Sequence, residues 1–84
     1  MLKIELGNPA KRFLKKCNSI LYERLMHKIS SLSINPFPQD AVRVVGRKEK
    51  IFRIRVGDYR VQYIVDYDKN LILITDVDKR PRAY

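Results

Sequence analysis

With 84 residues, 45% of them hydrophobic, the chain is long enough for one core and too short for two, so we expect a single domain over residues 1–84. The 18 Lys and Arg outnumber the 9 Asp and Glu and leave a net charge of +9, which favours a polyanionic partner, nucleic acid first. One cysteine, Cys17, and one histidine, His27, exclude an intrachain disulfide and a Cys/His zinc site, so we expect neither metal nor cofactor.

The N-terminal region predicts a strand and then a short helix. It contains no apolar core of signal-peptide length, and no later stretch approaches the roughly 20 apolar residues of a membrane span, so we expect a cytoplasmic protein with no membrane partner. Apolar and charged residues alternate over residues 2–6, as in an edge strand with one buried face. Asn8 is a good N-cap and Pro9 suits the first helical position, which predicts a helix over residues 9 to about 16.

A second helix is predicted by apolar residues at spacings of three and four. Asn18 or Ser19 can cap it, and it should end near Ser33. The apolar positions are Ile20, Leu21, Leu25, Met26, Ile29 and Leu32. Residues 34–40 contain two prolines and cannot continue a helix, so they form a connection.

From Ala41 onward the apolar period changes to two, which predicts four strands at residues 42–45, 51–56, 59–67 and 71–77. The expected fold is therefore α+β. It consists of an N-terminal strand, a two-helix hairpin and a four-stranded antiparallel meander, with the helices packed on one face of the sheet.

The register of the central hairpin follows from its loop. Residues 57–58 are Gly-Asp, which fits a two-residue loop with glycine first. Counting outward, Arg55 opposes Arg60 and Arg53 opposes Gln62 on one face. The other face is apolar and should pack on the helices; it carries Phe52, Ile54, Val56, Tyr59, Val61 and Tyr63.

The last strand should bring the chain's C-terminal cations to the same end of the sheet. A three-residue loop with Asn70 in the left-handed region would set Tyr67 opposite Leu71 and Arg60 opposite Asp78. The same register adds three residues to the core face: Leu73, Thr75 and Val77. The residues expected to emerge beside the arginine face are Lys79, Arg80, Arg82 and Tyr84.

Like charges directly opposite each other, as for Arg55 and Arg60, destabilise a sheet. Such a face is understandable if it holds an anion, because guanidinium groups donate paired hydrogen bonds to phosphate. Two alternatives remain open. In the first, the arginines are ordinary surface residues that contact only water. In the second, Asp76 and Asp78 neutralise them in ion pairs at the edge of the face.

The segment 50–63, KIFRIRVGDYRVQY, followed by a hydrophobic strand, Asp78-Lys79-Arg80 and Tyr84, resembles the RelE/ParE toxin superfamily over nearly the whole chain. Its RelE branch consists of ribosome-dependent endoribonucleases that cut mRNA in the A site of the 30S subunit and are silenced by a RelB-like antitoxin that wraps around them. The resemblance therefore implies a translation-inhibiting toxin, monomeric by itself and oligomeric only with its antitoxin.

The resemblance also assigns candidate site residues. The positions that match the catalytic set of the RelE branch are Arg53, Arg55, Arg60, Arg80 and Tyr84. The residues expected to contact the rest of the RNA are Arg47, Lys48, Lys50, Gln62, Lys79 and Arg82. This sequence departs from the branch in having arginine where strand lysines are common, and in having no predicted helix after Tyr84.

These residues suggest cleavage without a metal, by attack of the RNA 2′-hydroxyl on the adjacent phosphorus. Arginine does not release a proton near neutral pH, so the clamp of Arg53, Arg55 and Arg60 would act through charge, with Arg80 on the same phosphate or the leaving oxygen. Tyr84 could stack on a base or act on the 2′-hydroxyl; because a phenol is a poor base near neutral pH, stacking and positioning are favoured. His27 reads as a helix-surface residue.

Two other functions remain open: a ParE-like inhibitor of DNA gyrase, and a basic RNA-binding module without catalysis. For the antitoxin, Ile51, Ile64 and Ile74 form a candidate apolar patch, unless the N-terminal strand or the proline-containing connection covers them.

Overall fold

The computed structural model describes residues 1–44, 46, 48 and 50–80. Within them one sheet is covered on one face by two helices. The elements in chain order are β1 (Lys3–Leu6), α1 (Asn8–Lys16), α2 (Ser19–Ser31), β2 (Val42–Arg43), β3 (Ile51–Val56), β4 (Tyr59–Asp66) and β5 (Leu71–Lys79).

The strands follow the order β1-β5-β4-β3-β2 across the sheet. Strand β1 runs parallel to β5, and β2 to β5 form an antiparallel meander. The predicted α+β architecture, with an N-terminal edge strand, is therefore confirmed. No helix in the described residues is long and apolar enough to cross a membrane.

The start of α1 differs from the prediction by one residue. Its N-cap is Gly7, without a side-chain cap, and Asn8 is already helical. The Gly7 N–H donates to the Ile74 carbonyl at 2.8 Å, and a Cβ on Gly7 would lie 2.9 Å from the same oxygen. Close contact with β5 thus requires glycine at the cap position.

The second helix confirms the predicted cap and corrects its apolar stripe. The Asn18 side chain accepts from the Leu21 N–H at 2.8 Å, and the helix ends at Ser31, two residues before the predicted position. Ile20 is 75% exposed, so its assignment to the stripe was wrong. Met26 is half-buried. The fully packed positions recur at spacings of four, four and three: Leu21, Leu25, Ile29 and Leu32.

The central hairpin has the predicted register. Arg55 lies opposite Arg60, and Arg53 opposite Gln62. Gly57 has a φ of +60°, a conformation that favours glycine at the first loop position. The apolar face of the hairpin packs on the helices as expected, with Ile54, Val61 and Tyr63 fully buried.

The β4–β5 hairpin differs from its predicted register at two places, and the two differences cancel. Asp66, not Tyr67, lies opposite Leu71, so the loop is one residue longer than predicted, although Asn70 is left-handed with a φ of 55°. A bulge at Thr75 then shifts the register back by one, and Arg60 lies opposite Asp78 as predicted.

The bulge also decides which β5 residues enter the core. Ile72 and Ile74 are fully buried, whereas Leu73 and Thr75 are half-buried and their assignment to the core face was wrong. Val77, beyond the bulge, is 3% exposed, as the prediction required. The extra residue exchanges the faces of β5 between its two halves.

Candidate nucleic-acid interface

Three arginines lie on the sheet face that the helices leave open. Arg53, Arg55 and Arg60 alternate along the hairpin with the buried Ile54 and Val61. Because neighbouring side chains of a strand point to opposite faces, burial of the apolar set directs the arginines outward. Each arginine is half-buried, with its stem on the sheet.

Asp78 binds two of the predicted site cations. Its carboxylate accepts two hydrogen bonds from Arg60, at 2.9 Å from Nη2 to Oδ2 and 3.2 Å from Nε to Oδ1. Oδ2 also accepts from Nε of Arg80 at 3.3 Å. The ion-pair alternative is therefore observed for Asp78. Asp76 makes no ion pair within the described ranges.

The end of β5 is tied to the hairpin loop by backbone contacts. The Arg80 N–H donates to the Asp58 carbonyl at 2.7 Å, and Nη1 of Arg55 donates to the Arg80 carbonyl at 3.3 Å. These bonds bring Arg55, Arg60 and Arg80 to one corner of the sheet. We call these three residues, with Asp78, the arginine corner.

Arg53 lies next to this corner. It lines a groove of about 210 Å³ together with Arg55, Gly57, Asp40 and Val42. Neither Arg53 nor Arg55 pairs with a carboxylate in the part of the chain that the structure describes. Arg53 and Arg55 therefore offer guanidinium donors to an anion in this groove, where the Asp40 carboxylate is paired with Lys28.

Among the other predicted RNA contacts that the structure describes, Lys48, Lys50 and Lys79 lie away from the arginine corner. Lys48 and Lys50 are exposed at the other end of β3, with Lys50 roughly 17 Å from Arg55 along an extended strand. Lys79 lines a groove on the helix side, with Arg12 and Lys16. Gln62 lies on the arginine face but is only 9% exposed. The predictions for Arg47, Arg82 and Tyr84 lie outside the described residues.

A second basic groove was missed by the sequence reasoning. Arg24, His27 and Lys28 of α2 face the β3 edge beside Arg55, around a volume of about 500 Å³. Their spacing of three and four puts them on one side of the helix, a pattern visible in the sequence. Lys28 also pairs with Asp40 at 3.1 Å. What the sequence did not reveal is that this side of α2 borders the hairpin.

The apolar patch predicted for an antitoxin is not one surface. Ile74 is fully buried in the core under the helices, so its assignment was wrong. Ile51 and Ile64 oppose each other on the arginine face. Ile51 is 8% exposed and Ile64 is half-buried.

Tyr63, in the core on the helix side of the sheet and outside the arginine face, has a clearly raised pKa. The buried Tyr63 hydroxyl donates to the Pro36 carbonyl at 2.6 Å. Burial, with a smaller effect of the Asp40 carboxylate, raises the pKa of Tyr63 from 10.0 to about 12. This side chain anchors the 34–40 connection, and its proton is not available for chemistry at neutral pH.

Comparison with known proteins agrees with this fold. Residues 4–84 match the family of ParE toxins of type II toxin-antitoxin systems, parDE. A toxin described as RelE1, from Methanocaldococcus jannaschii, is 39% identical over 59 residues, which is 67% of this chain and 64% of that protein. The chain thus spans less than two thirds of that relative's length.

Two solved structures show the same architecture. A chain of the archaeal RelE-RelB complex from Pyrococcus horikoshii has a TM-score of 0.82 and 26% identity, with 98% of each chain covered. The isolated RelE toxin of E. coli also has a TM-score of 0.82, at 20% identity, with 99% of this chain and 88% of that chain covered. The chain belongs to the RelE/ParE toxin superfamily, in its RelE-type branch.

Proposed function

We propose that this toxin is a ribosome-dependent endoribonuclease that binds mRNA in the A site on its arginine face and cleaves it there. The observation that carries the proposal is the arginine corner, where two strands and the end of β5 bring three guanidinium groups together. Arg53 extends this set along the hairpin. A cation cluster of this kind fits the negative charge of a phosphodiester.

The proposed reaction needs no metal. The 2′-hydroxyl oxygen attacks the adjacent phosphorus, the bond to the 5′-oxygen breaks, and a 2′,3′-cyclic phosphate and a 5′-hydroxyl form. The 2′-hydroxyl loses one proton and the 5′-oxygen gains one. The arginines stabilise the charge that builds on the phosphate oxygens, and this requires no change in their protonation.

The ribosome supplies what this site lacks. Arginine is a poor proton donor, and the lone histidine, His27, lies on α2 in the groove beside Arg55 and is not among the partners of Asp78. Holding the 2′-oxygen in line with the scissile bond is worth several orders of magnitude in rate, so a ribosome that positions mRNA compensates for weak acid and base chemistry. We expect free RNA to be cut slowly. Tyr84 is proposed to stack on a base.

The test is primer extension on translating ribosomes with Arg60→Ala and Arg80→Ala. Loss of one donor to a transition-state oxyanion typically costs about 100-fold in rate, and we expect a loss of this order for each variant. Arg12→Ala is the matched control, because Arg12 lies on α1, on the opposite side of the sheet. Near-normal cleavage by both variants would refute the proposal.

Inhibition of DNA gyrase is the second candidate, because the matching family carries the ParE description. A supercoiling assay on the same preparation separates the two. Gyrase inhibition without mRNA cleavage would assign the chain to the second candidate. A third outcome, salt-sensitive RNA binding without scission, would indicate a non-catalytic RNA-binding module.

We also propose a RelB-like antitoxin as partner. A solved structural relative is a RelE-RelB complex, and a net charge of +9 favours an acidic segment that folds on the toxin surface. Co-expression with the neighbouring open reading frame should relieve growth arrest and yield a complex by size exclusion. Growth arrest that no neighbouring frame relieves would contradict this pairing.

A further inference from the structure

We infer that the Asp78 carboxylate occupies the anion subsite formed by Arg60 and Arg80, so that an RNA phosphate enters this subsite only by displacing Asp78. Asp78 would then act as a built-in competitor that weakens binding of RNA in general. The inference rests on the proposed RNA-binding role of the arginine corner, and it adds a control element within that site.

The geometry of the pair supports a shared subsite. Arg60 presents Nε and Nη2 side by side to the two Asp78 oxygens, at 3.2 and 2.9 Å. The two non-bridging oxygens of a phosphodiester carry the same single charge and accept from the same guanidinium edge. Arg80 completes the subsite through Nε, 3.3 Å from Oδ2. A phosphate and the carboxylate therefore compete for the same donors.

The exposure of the pair makes displacement feasible. The side chains of Arg60 and Asp78 are 21% and 29% exposed, and that of Arg80 is 61% exposed. All three side chains reach solvent, and an incoming phosphate would take over the donors that the carboxylate releases, so the exchange leaves no arginine without an anion. Asp78 can then rotate toward solvent without burial of an unpaired charge.

Two neighbouring arginines explain how RNA would displace the Asp78 carboxylate. Arg53 and Arg55 pair with no carboxylate in the described part of the chain and line, with Asp40, one groove beside the subsite of Arg60 and Arg80. A chain of phosphates that first binds this groove raises the local concentration of the next phosphate at Arg60. RNA held in a fixed path, as on a ribosome, gains more from this than flexible RNA does.

The experiment compares Asp78→Asn with Asp76→Asn. Both residues are half-buried on β5, opposite Arg60 and Gln62 on the arginine face, and both substitutions remove one negative charge. Only Asp78 pairs with arginine in the described residues. Binding of a 2′-O-methylated single-stranded RNA, which cannot be cleaved, is measured by fluorescence anisotropy from about 50 to 200 mM salt.

We expect Asp78→Asn to bind about fivefold tighter near 0.15 M salt, and Asp76→Asn to change affinity less than about twofold. The slope of log K against log salt should steepen by about 0.7 for each arginine that gains a phosphate contact. Equal gains for the two variants would show a bulk charge effect and overturn the inference. Weaker binding by Asp78→Asn would show that Asp78 positions Arg60, which also overturns it.

Two further measurements keep the result interpretable. Asp78→Ser and thermal unfolding by circular dichroism show whether the variants keep the fold, and a folded Asp78→Ser should repeat the gain. Tighter RNA binding by Asp78→Asn without A-site cleavage by the wild type refutes the nuclease and leaves the inference standing. Wild-type cleavage with no gain in Asp78→Asn refutes the inference alone. If neither the wild type nor Asp78→Asn binds RNA, both are refuted.

Discussion

The β3–β4 hairpin presents one face to the helices and the other to solvent, and the two faces differ in how their residues contribute to stability. On the helix side Ile54, Val61 and Tyr63 have no exposed surface. On the open side Arg55 lies directly opposite Arg60. Removing apolar surface from water stabilises the fold on the first face, whereas the like-charged pair opposes folding on the second.

This difference supports the proposal that the open face serves for binding. A face selected for stability would place opposite charges or β-branched residues across β3 and β4. The arginine face accepts a small loss of stability, and Asp78 offsets part of it by pairing with Arg60. Substitutions on the two faces should therefore separate stability from RNA binding.

The largest expected effect is on the helix side. Ile54→Ala should lower the free energy of unfolding by about 2–4 kcal/mol, because Ile54 is fully buried and its loss leaves a cavity. Val42→Ala is the control: Val42 is 47% exposed and lies opposite Arg53. Urea unfolding measures both. A smaller loss for Ile54→Ala than for Val42→Ala would contradict the assignment of the faces.

Because of Tyr63, the stability of the fold depends on pH. Its pKa is raised from 10.0 to about 12 in the folded state, so the folded chain holds the phenol proton more tightly than the unfolded chain. The resulting stabilisation is complete below pH 10 and is lost as the pH rises from 10 to 12. Two pKa units correspond to at most about 2.7 kcal/mol.

Tyr63→Phe tests this dependence. At neutral pH it should cost about 1 kcal/mol, through loss of the bond to the Pro36 carbonyl. Between pH 10 and 12 its urea midpoint should fall less steeply than that of the wild type. Tyr67→Phe, at a residue that is 65% exposed, controls for general loss of a tyrosine. Parallel pH curves for wild type and Tyr63→Phe would contradict the raised pKa.

The part of the fold that was predictable is the part determined by local sequence. Gly57 and Asp58 fix a tight loop, and from that loop the pairing of Arg55 with Arg60 follows by counting. Asn18 likewise caps α2 through a bond within its own turn. Such features depend on a few adjacent residues, so the sequence carries them.

The features that were missed depend on distant parts of the chain. The bulge at Thr75 exchanges the faces of β5, and no residue type near it marks the position. The predicted opposition of Arg60 and Asp78 was confirmed only because the bulge compensates for an error in the predicted loop. The predicted loop was one residue shorter than the loop in the structure. Tertiary packing likewise determines the pairing of β1 with β5 and the position of Arg24 beside the hairpin.

A smaller effect is expected at the loop that joins the two faces. Gly57→Ala should cost about 1 kcal/mol or slightly more, because an L-residue is strained at a φ of +60°. The new Cβ would also lie 3.3 Å from Nη2 of Arg24, whose flexible side chain can move. Asp58→Ala, at the other loop position, is the control. No difference in urea unfolding between the two variants would argue against a glycine-dependent loop.

The smallest expected effect on stability is the one that separates the two faces most clearly. Arg55→Thr removes the like-charge opposition to Arg60 and places a β-branched residue in the strand. It also removes an exposed bond to the Arg80 carbonyl, at 3.3 Å. These changes act in opposite directions, so the free energy of unfolding should stay within about 0.5 kcal/mol of the wild type.

RNA binding should respond differently to Arg55→Thr, since loss of one phosphate contact reduces affinity and lowers the salt slope by about 0.7. Arg43→Thr is the matched control, because Arg43 lies opposite Phe52 and so on the other side of the sheet. Anisotropy and urea unfolding on both variants give the comparison. Arg55→Thr could instead lose more than about 1 kcal/mol of stability and bind RNA as the wild type does. That result would show that Arg55 stabilises the fold through its hydrogen bond to Arg80, and that the open face has a structural role like the helix side.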